Sequence, residues 1–109
     1  WQMKLLIVDD TSPDGTYKIV EKLRKKYDNL YLYLNPRKMG IGYAYVVGFR
    51  YAMKALKADV IIEFDGDFQH PPEAIPLMLK KIQKGADYVL GSRKIKGGSV
   101  PKEWGWKRK

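Results

Sequence analysis

Four short runs rich in apolar, β-branched and aromatic residues, at positions 5–8, 30–34, 59–64 and 86–90, alternate with longer stretches in which apolar residues recur every three or four positions. Runs of this kind read as buried strands, and the longer periodicity reads as amphipathic helix. Strand and helix in strict alternation imply a parallel sheet, because parallel neighbours need a long crossover and each right-handed crossover lays its helix on the sheet. The expected fold class is therefore α/β, a Rossmann-like, mostly parallel sheet with helices on both faces. The first helix is expected from Thr16, with Ile19, Val20, Leu23 and Tyr27 on its apolar side. A largely buried helix is expected over 43–56, where Ala44, Gly48, Ala52 and Ala55 allow close approach to the sheet. A third helix should start at Pro71-Pro72-Glu73, since proline is tolerated in the first turn, and run to Lys84-Gly85.

Ligands of open parallel sheets sit beyond the carboxyl ends of the strands. Asp9-Asp10, Asn35, Asp65 and Gly91-Ser92-Arg93 all fall at such ends. The densest cluster is Asp65-Gly66-Asp67-Phe68-Gln69. If this tip is extended, its two-residue period turns Asp65, Asp67 and Gln69 the same way and gathers three oxygens. Oxygen donors suit Mg or Mn, and Mg takes one or two carboxylates with water and substrate phosphate in the other positions. The cluster reads as a place to hold a metal-bound diphosphate.

The 109 residues fit one small domain, and a 45% hydrophobic composition suits a globular chain. No apolar run reaches the roughly 18 residues that span a bilayer, and the start lacks the apolar core of a signal peptide. The chain has no cysteine, which excludes disulfides and thiolate metal sites and permits a reducing compartment. Net charge is +9, and residues 93–109 hold seven Lys and Arg against one acidic residue, so two thirds of the excess is there. Such a segment attracts phosphate, whether of a substrate, an anionic lipid or a nucleic acid.

Four ordered stretches resemble the nucleotide-diphosphate-sugar glycosyltransferases of family 2, most closely the dolichyl-phosphate or polyprenyl-phosphate mannosyltransferases. They are Ile7-Val8-Asp9-Asp10-Thr11-Ser12-Pro13-Asp14-Gly15-Thr16, Lys38-Met39-Gly40-Ile41-Gly42-Tyr43-Ala44, Asp65-Gly66-Asp67-Phe68-Gln69-His70-Pro71-Pro72-Glu73 and Gly91-Ser92-Arg93. The resemblance implies a GT-A-like fold and inverting, metal-dependent transfer of a sugar, mannose foremost, from a nucleotide sugar to a lipid phosphate. GDP-mannose is the favoured donor and UDP-glucose the other candidate. It further implies that Asp9 or Asp10 contacts the nucleoside, that Asp65 and Asp67 are metal and sugar-diphosphate carboxylates joined by Gln69, and that Arg93 and Arg108 hold the acceptor phosphate. Asp67 and Arg93 are then the catalytic pair. Residues 1–92 form a nucleotide-sugar-binding core and 93–109 a basic acceptor-side loop, at the cytoplasmic face of a membrane. The family's first strand and its C-terminal part are absent from the matched stretches, which implies a fragment of a longer enzyme. Gly66 stands where alanine is usual in the family.

Other readings compete for the same residues. Asp14 and Gly15 suit a turn and helix start, so a mainly structural Asp14 is expected. His70, the one histidine, is expected to be structural rather than a catalytic base. Tyr43, Tyr45, Phe49 and Tyr51 are expected in the core, while Trp104 and Trp106 suit either a lipid headgroup layer or a disordered tail. A response-regulator receiver domain also carries an acidic pair after its first strand and a phosphoacceptor after its third, which would be Asp65. Against it stand the missing fifth strand with its lysine and the unexplained Asp67-Phe68-Gln69-His70-Pro71-Pro72. A basic nucleic-acid module is disfavoured, because strand-end carboxylates repel a phosphate backbone, and no nucleic-acid partner is expected.

Overall fold

The computed structural model describes residues 1–67 and 69–100. The chain divides into two compact units, Trp1–Ile62 and Glu63–Lys109. The first unit contains β1 (Leu5–Asp9), α1 (Thr16–Arg24), β2 (Leu30–Leu34) and α2 (Ile41–Lys54), and the second contains α3 (Ala74–Gln83). β1 and β2 pair in parallel, from Leu5 opposite Leu30 to Asp9 opposite Leu34. The α/β expectation therefore holds in its essential unit, two parallel strands with a helical crossover.

Among the described residues those are the only paired strands. Residues 59–64 and 86–90, both expected as strands, have no ladder partner, and Tyr88 and Leu90 are 78% and 73% exposed. Propensity for extended backbone makes a strand only where a neighbour completes the hydrogen bonds, and here neither segment meets one.

The first unit closes on Val20, Val47, Ala52 and Leu56, its buried apolar side chains. α1 buries Val20 alone; Ile19, Leu23 and Tyr27 are exposed. α2 is not largely buried as its composition suggested. It buries one face, Val47, Gly48 and Ala52, and Tyr43 is exposed. Tyr51 meets Tyr33 of β2 edge to face, with ring centroids 5.7 Å apart, while Tyr45 and Phe49 are half-buried. The small-residue stripe explains that face: a β-carbon at Gly48 would meet Val8 Cγ2 at 3.2 Å, so the helix rests directly on β1.

The end of α2 is secured from far along the chain and the start of α1 by its own preceding turn. Lys4 Nζ donates to the Leu56 carbonyl at 2.7 Å, placing a cation at the negative end of α2. Asp14 accepts from both the backbone N–H (2.9 Å) and the hydroxyl (2.8 Å) of Thr16, the structural role expected of it. The Thr16 backbone bond, and then its hydroxyl, hold the Asp14 carboxyl below its ordinary range. A depressed folded value means that this contribution to stability is present above the unfolded carboxylate value of about 3.9 and is lost as pH falls through the folded one. In an acid titration, Asp14→Ala is accordingly expected to flatten the decline of the melting temperature below about pH 4. An unchanged acid limb would show that the turn does not depend on this charge.

In the second unit α3 half-buries Ala74, Ile75, Met78, Leu79 and Ile82, a helical stripe, and exposes Leu77. No helix among the described residues is long and apolar enough to cross a membrane.

Candidate active site

β1 and β2 are parallel, so their carboxyl ends share one edge, and the loops that follow meet there. Asp9 is 7% exposed and spends both carboxylate oxygens on Ser12. Oδ1 accepts the Ser12 backbone N–H at 2.7 Å and Oδ2 the Ser12 hydroxyl at 2.9 Å. Asp10 is half-buried, and its Oδ1 accepts from Asn35 Nδ2 at 2.7 Å. The two neighbouring carboxylates thus differ: Asp9 commits both oxygens to the loop, whereas Asp10 is held through one. Sequence reasoning did not separate them, although a serine three residues after Asp9 is the spacing of such a turn.

A cleft here measures about 700 Å³, within the range of small-molecule sites. Asp9, Asp10, Thr11 and Ser12 line it on one side, with Arg37, Lys38, Gly40, Ile41 and Ala44 at the start of α2. No side chain caps that helix start, so first-turn amides add to the positive charge of Arg37 and Lys38. One cleft therefore combines a carboxylate with an anion-attracting helix end. Arg37, Lys38 and the amides of the α2 start were not among the expected site residues; an Arg-Lys pair just before a helix is the signal that marks them.

In the second unit, Gly66 and Asp67 form a turn, so the expected extended tip is not what is found. Asp67 Oδ1 accepts the Gln69 backbone N–H at 2.9 Å, a short-range bond that aspartate makes readily and that replaces the two-residue alternation. His70 folds back over Asp65. Its Nδ1 accepts the Asp65 backbone N–H at 3.1 Å, its Nε2 lies 3.6 Å from Asp65 Oδ2, and its ring packs edge-on against Phe64. That is the structural role expected of it.

Arg93 Nη2 donates to the Gln69 carbonyl, which ties the Gly91-Ser92-Arg93 motif to the carboxylate loop. Behind Arg93 the chain turns so tightly that a β-carbon at Gly98 would overlap the Arg93 carbonyl and stand 2.7 Å from its carbon. Arg108, Trp104 and Trp106 lie outside the described residues.

Among the described residues no group of three or more His, Cys, Asp or Glu side chains gathers to hold a metal. The expected donor set is of a different kind, two carboxylates and an amide. Asp65 and Asp67 are exposed, and one or two carboxylates are what Mg uses beside water and phosphate. By donor type alone, Asp65, Asp67 and Gln69 suit such an ion.

The family model described as Glycosyl transferase family 2 matches residues 2–108. The chain is 36% identical over 108 residues to the polyprenol monophosphomannose synthase of Mycolicibacterium smegmatis, covering 98% of this chain and 40% of that protein. It is 37% identical over 106 residues to the dolichol-phosphate mannosyltransferase of Pyrococcus furiosus, covering 97% and 28%. With the undecaprenyl-phosphate mannosyltransferase of Micrococcus luteus it shares 36% over 96 residues, covering 88% and 39%. The chain spans less than half the length of these relatives. No solved structure matches it.

Proposed function

The chain belongs to glycosyl transferase family 2, and from that premise we propose that it is the donor-binding part of an inverting, metal-dependent enzyme that moves a sugar from a nucleoside diphosphate to a dolichyl or polyprenyl phosphate. Mannose is the favoured sugar, as in the names of its relatives, and GDP-mannose the favoured donor. The observation that carries the reading is the cleft at the β1 and β2 ends. Asp10 offers a carboxylate to N–H or O–H donors of a nucleoside, and the α2 start with Arg37 and Lys38 offers positive charge to a diphosphate.

Asp65, Asp67 and Gln69 would hold Mg or Mn. Such an ion, when bound, supplies positive charge against the negative charge that develops on the departing diphosphate. The bond from the anomeric carbon to the diphosphate oxygen breaks, its electron pair leaves with the nucleotide, and an acceptor phosphate oxygen bonds the same carbon from the opposite face. A phosphate monoester is already largely ionised at neutral pH, its second pKa being about 6. The acceptor therefore needs positioning more than deprotonation, the role assigned to Arg93 and Arg108. A lipid-linked acceptor places the enzyme at a membrane surface, and its cytoplasmic face is the location proposed.

Calorimetric titration of the full-length protein with GDP-mannose and with UDP-glucose, with and without Mn, tests the reading. Mn-dependent binding is expected, tighter for GDP-mannose. Binding of neither donor would overturn it. The receiver-domain reading has no support from family membership, and labelling of Asp65 by acetyl phosphate would be needed to revive it.

A further inference from the structure

We propose that Asn35 is the positioning residue for Asp10, fixing the carboxylate that meets the nucleoside; this rests on the nucleoside reading of the cleft given above. Asn35 follows β2 and is 1% exposed, the most deeply buried polar residue described. It makes three bonds to the end of β1 and the loop that follows. Its backbone N–H donates to the Asp9 carbonyl at 2.8 Å, its carbonyl accepts the Thr11 hydroxyl at 2.6 Å, and its Nδ2 donates to Asp10 Oδ1 at 2.7 Å. Thr11, one of the residues so held, has φ 57, a left-handed conformation that a β-branched residue rarely adopts. The Thr11 bond to the Asn35 carbonyl helps hold that conformation, so the Asn35 backbone supports the loop while its side chain reaches Asp10 alone.

The unused atom of Asn35 points to what the side chain is for. Its Oδ1 is buried and has no hydrogen-bond partner. Turning the amide over would set Oδ1 against Asp10 Oδ1, acceptor against acceptor, so Asp10 dictates the orientation seen. Leaving a buried acceptor unpaired costs free energy, and a leucine of similar size would avoid that cost. What leucine lacks is a donor for Asp10. A bond to an ionised carboxylate is stronger and more directional than one between neutral groups, and here it fixes the Asp10 side chain while leaving lone pairs for a ligand donor. Asp10 touches the nucleoside in this scheme, and Asn35 acts through it.

The test uses the full-length protein and guanosine diphosphate as the probe, with affinity read by calorimetry and folding by the melting temperature. Asn35→Leu and Asp10→Ala are each expected to weaken binding about tenfold or more, the size of one bond to a charged group. In the Asp10→Ala background, Asn35→Leu is expected to cost nothing further, because the carboxylate it oriented is gone. A residue that serves only the fold would weaken binding by the same factor in both backgrounds, and that result would overturn the proposal. Should the leucine variant fail to fold, Asn35→Asp decides, since it keeps the shape and sets a carboxylate against Asp10. A loss of about tenfold or more supports the proposal, and wild-type affinity sinks it. If Asp10→Ala itself leaves affinity unchanged, the nucleoside reading falls and the role of Asn35 with it. If Asp10→Ala weakens binding and neither Asn35 variant does, only the positioning role is wrong.

Discussion

Asp67→Asn is expected to lower Mn-dependent sugar transfer by the full-length protein by a factor on the order of a hundred to a thousand, with little change in melting temperature. The two halves of this expectation have different causes. Asparagine keeps the side-chain oxygen that accepts the Gln69 N–H, so the turn at Gly66 and Asp67 retains its bond. What disappears is a unit of negative charge at a site assigned to a divalent ion, where charge stabilisation is worth several kcal/mol and each 1.36 kcal/mol is tenfold in rate. Initial rates at saturating donor, with a Mn titration, read the effect. Asp65→Asn should act in the same direction, and the double variant should lose Mn-dependent nucleotide affinity. If that affinity survives in the double variant, these carboxylates do not hold the metal.

The second large effect is structural. Gly48→Leu is expected to destabilise the protein by about 1–3 kcal/mol, the usual cost of forcing extra carbons into a packed contact. A β-carbon alone would stand 3.2 Å from Val8 Cγ2, and three further carbons have nowhere to go without moving α2 off β1. Gly48→Ala is the control. Alanine gains up to about 1 kcal/mol of helix propensity over glycine, which offsets the small shift asked of Val8. Denaturant midpoints for the two variants should therefore separate clearly. Val8 directly precedes Asp9 and Asp10, so nucleotide affinity should fall together with stability in the leucine variant. Retained stability would mean that the helix does not rest on the strand as described.

Much of the first unit was legible because its signals are local. The apolar run at 30–34 coincides with β2, and the Ala44, Gly48, Ala52 spacing marks the face α2 turns to β1. The strands expected at 59–64 and 86–90 were not found, because composition reports a preference for extended backbone and says nothing of whether a partner stands alongside. The carboxylate loop shows the same limit. Alternation gives the facing of Asp65 and Asp67 only in an extended chain, and the Asp67 bond to Gln69 makes a turn instead. The difference between Asp9 and Asp10 depends on Ser12 and Asn35, one of them 25 positions away from Asp10, which adjacent identical residues do not disclose.

The pairing of β1 with β2 also bears on the order in which the protein takes shape. Each partner in the ladder lies 25 positions from the other, with the nine residues of α1 in between, so the entropy of closing this loop is modest. The contacts of Asp9, Asp10 and Thr11 with Ser12 and Asn35 all lie within the first 35 residues. Synthesis runs from the amino end at about 5–20 residues per second, and compact units fold whole, the amino-terminal one first. The acidic wall of the cleft is thus built from residues of the first unit alone, and its loop contacts can form as soon as that unit folds.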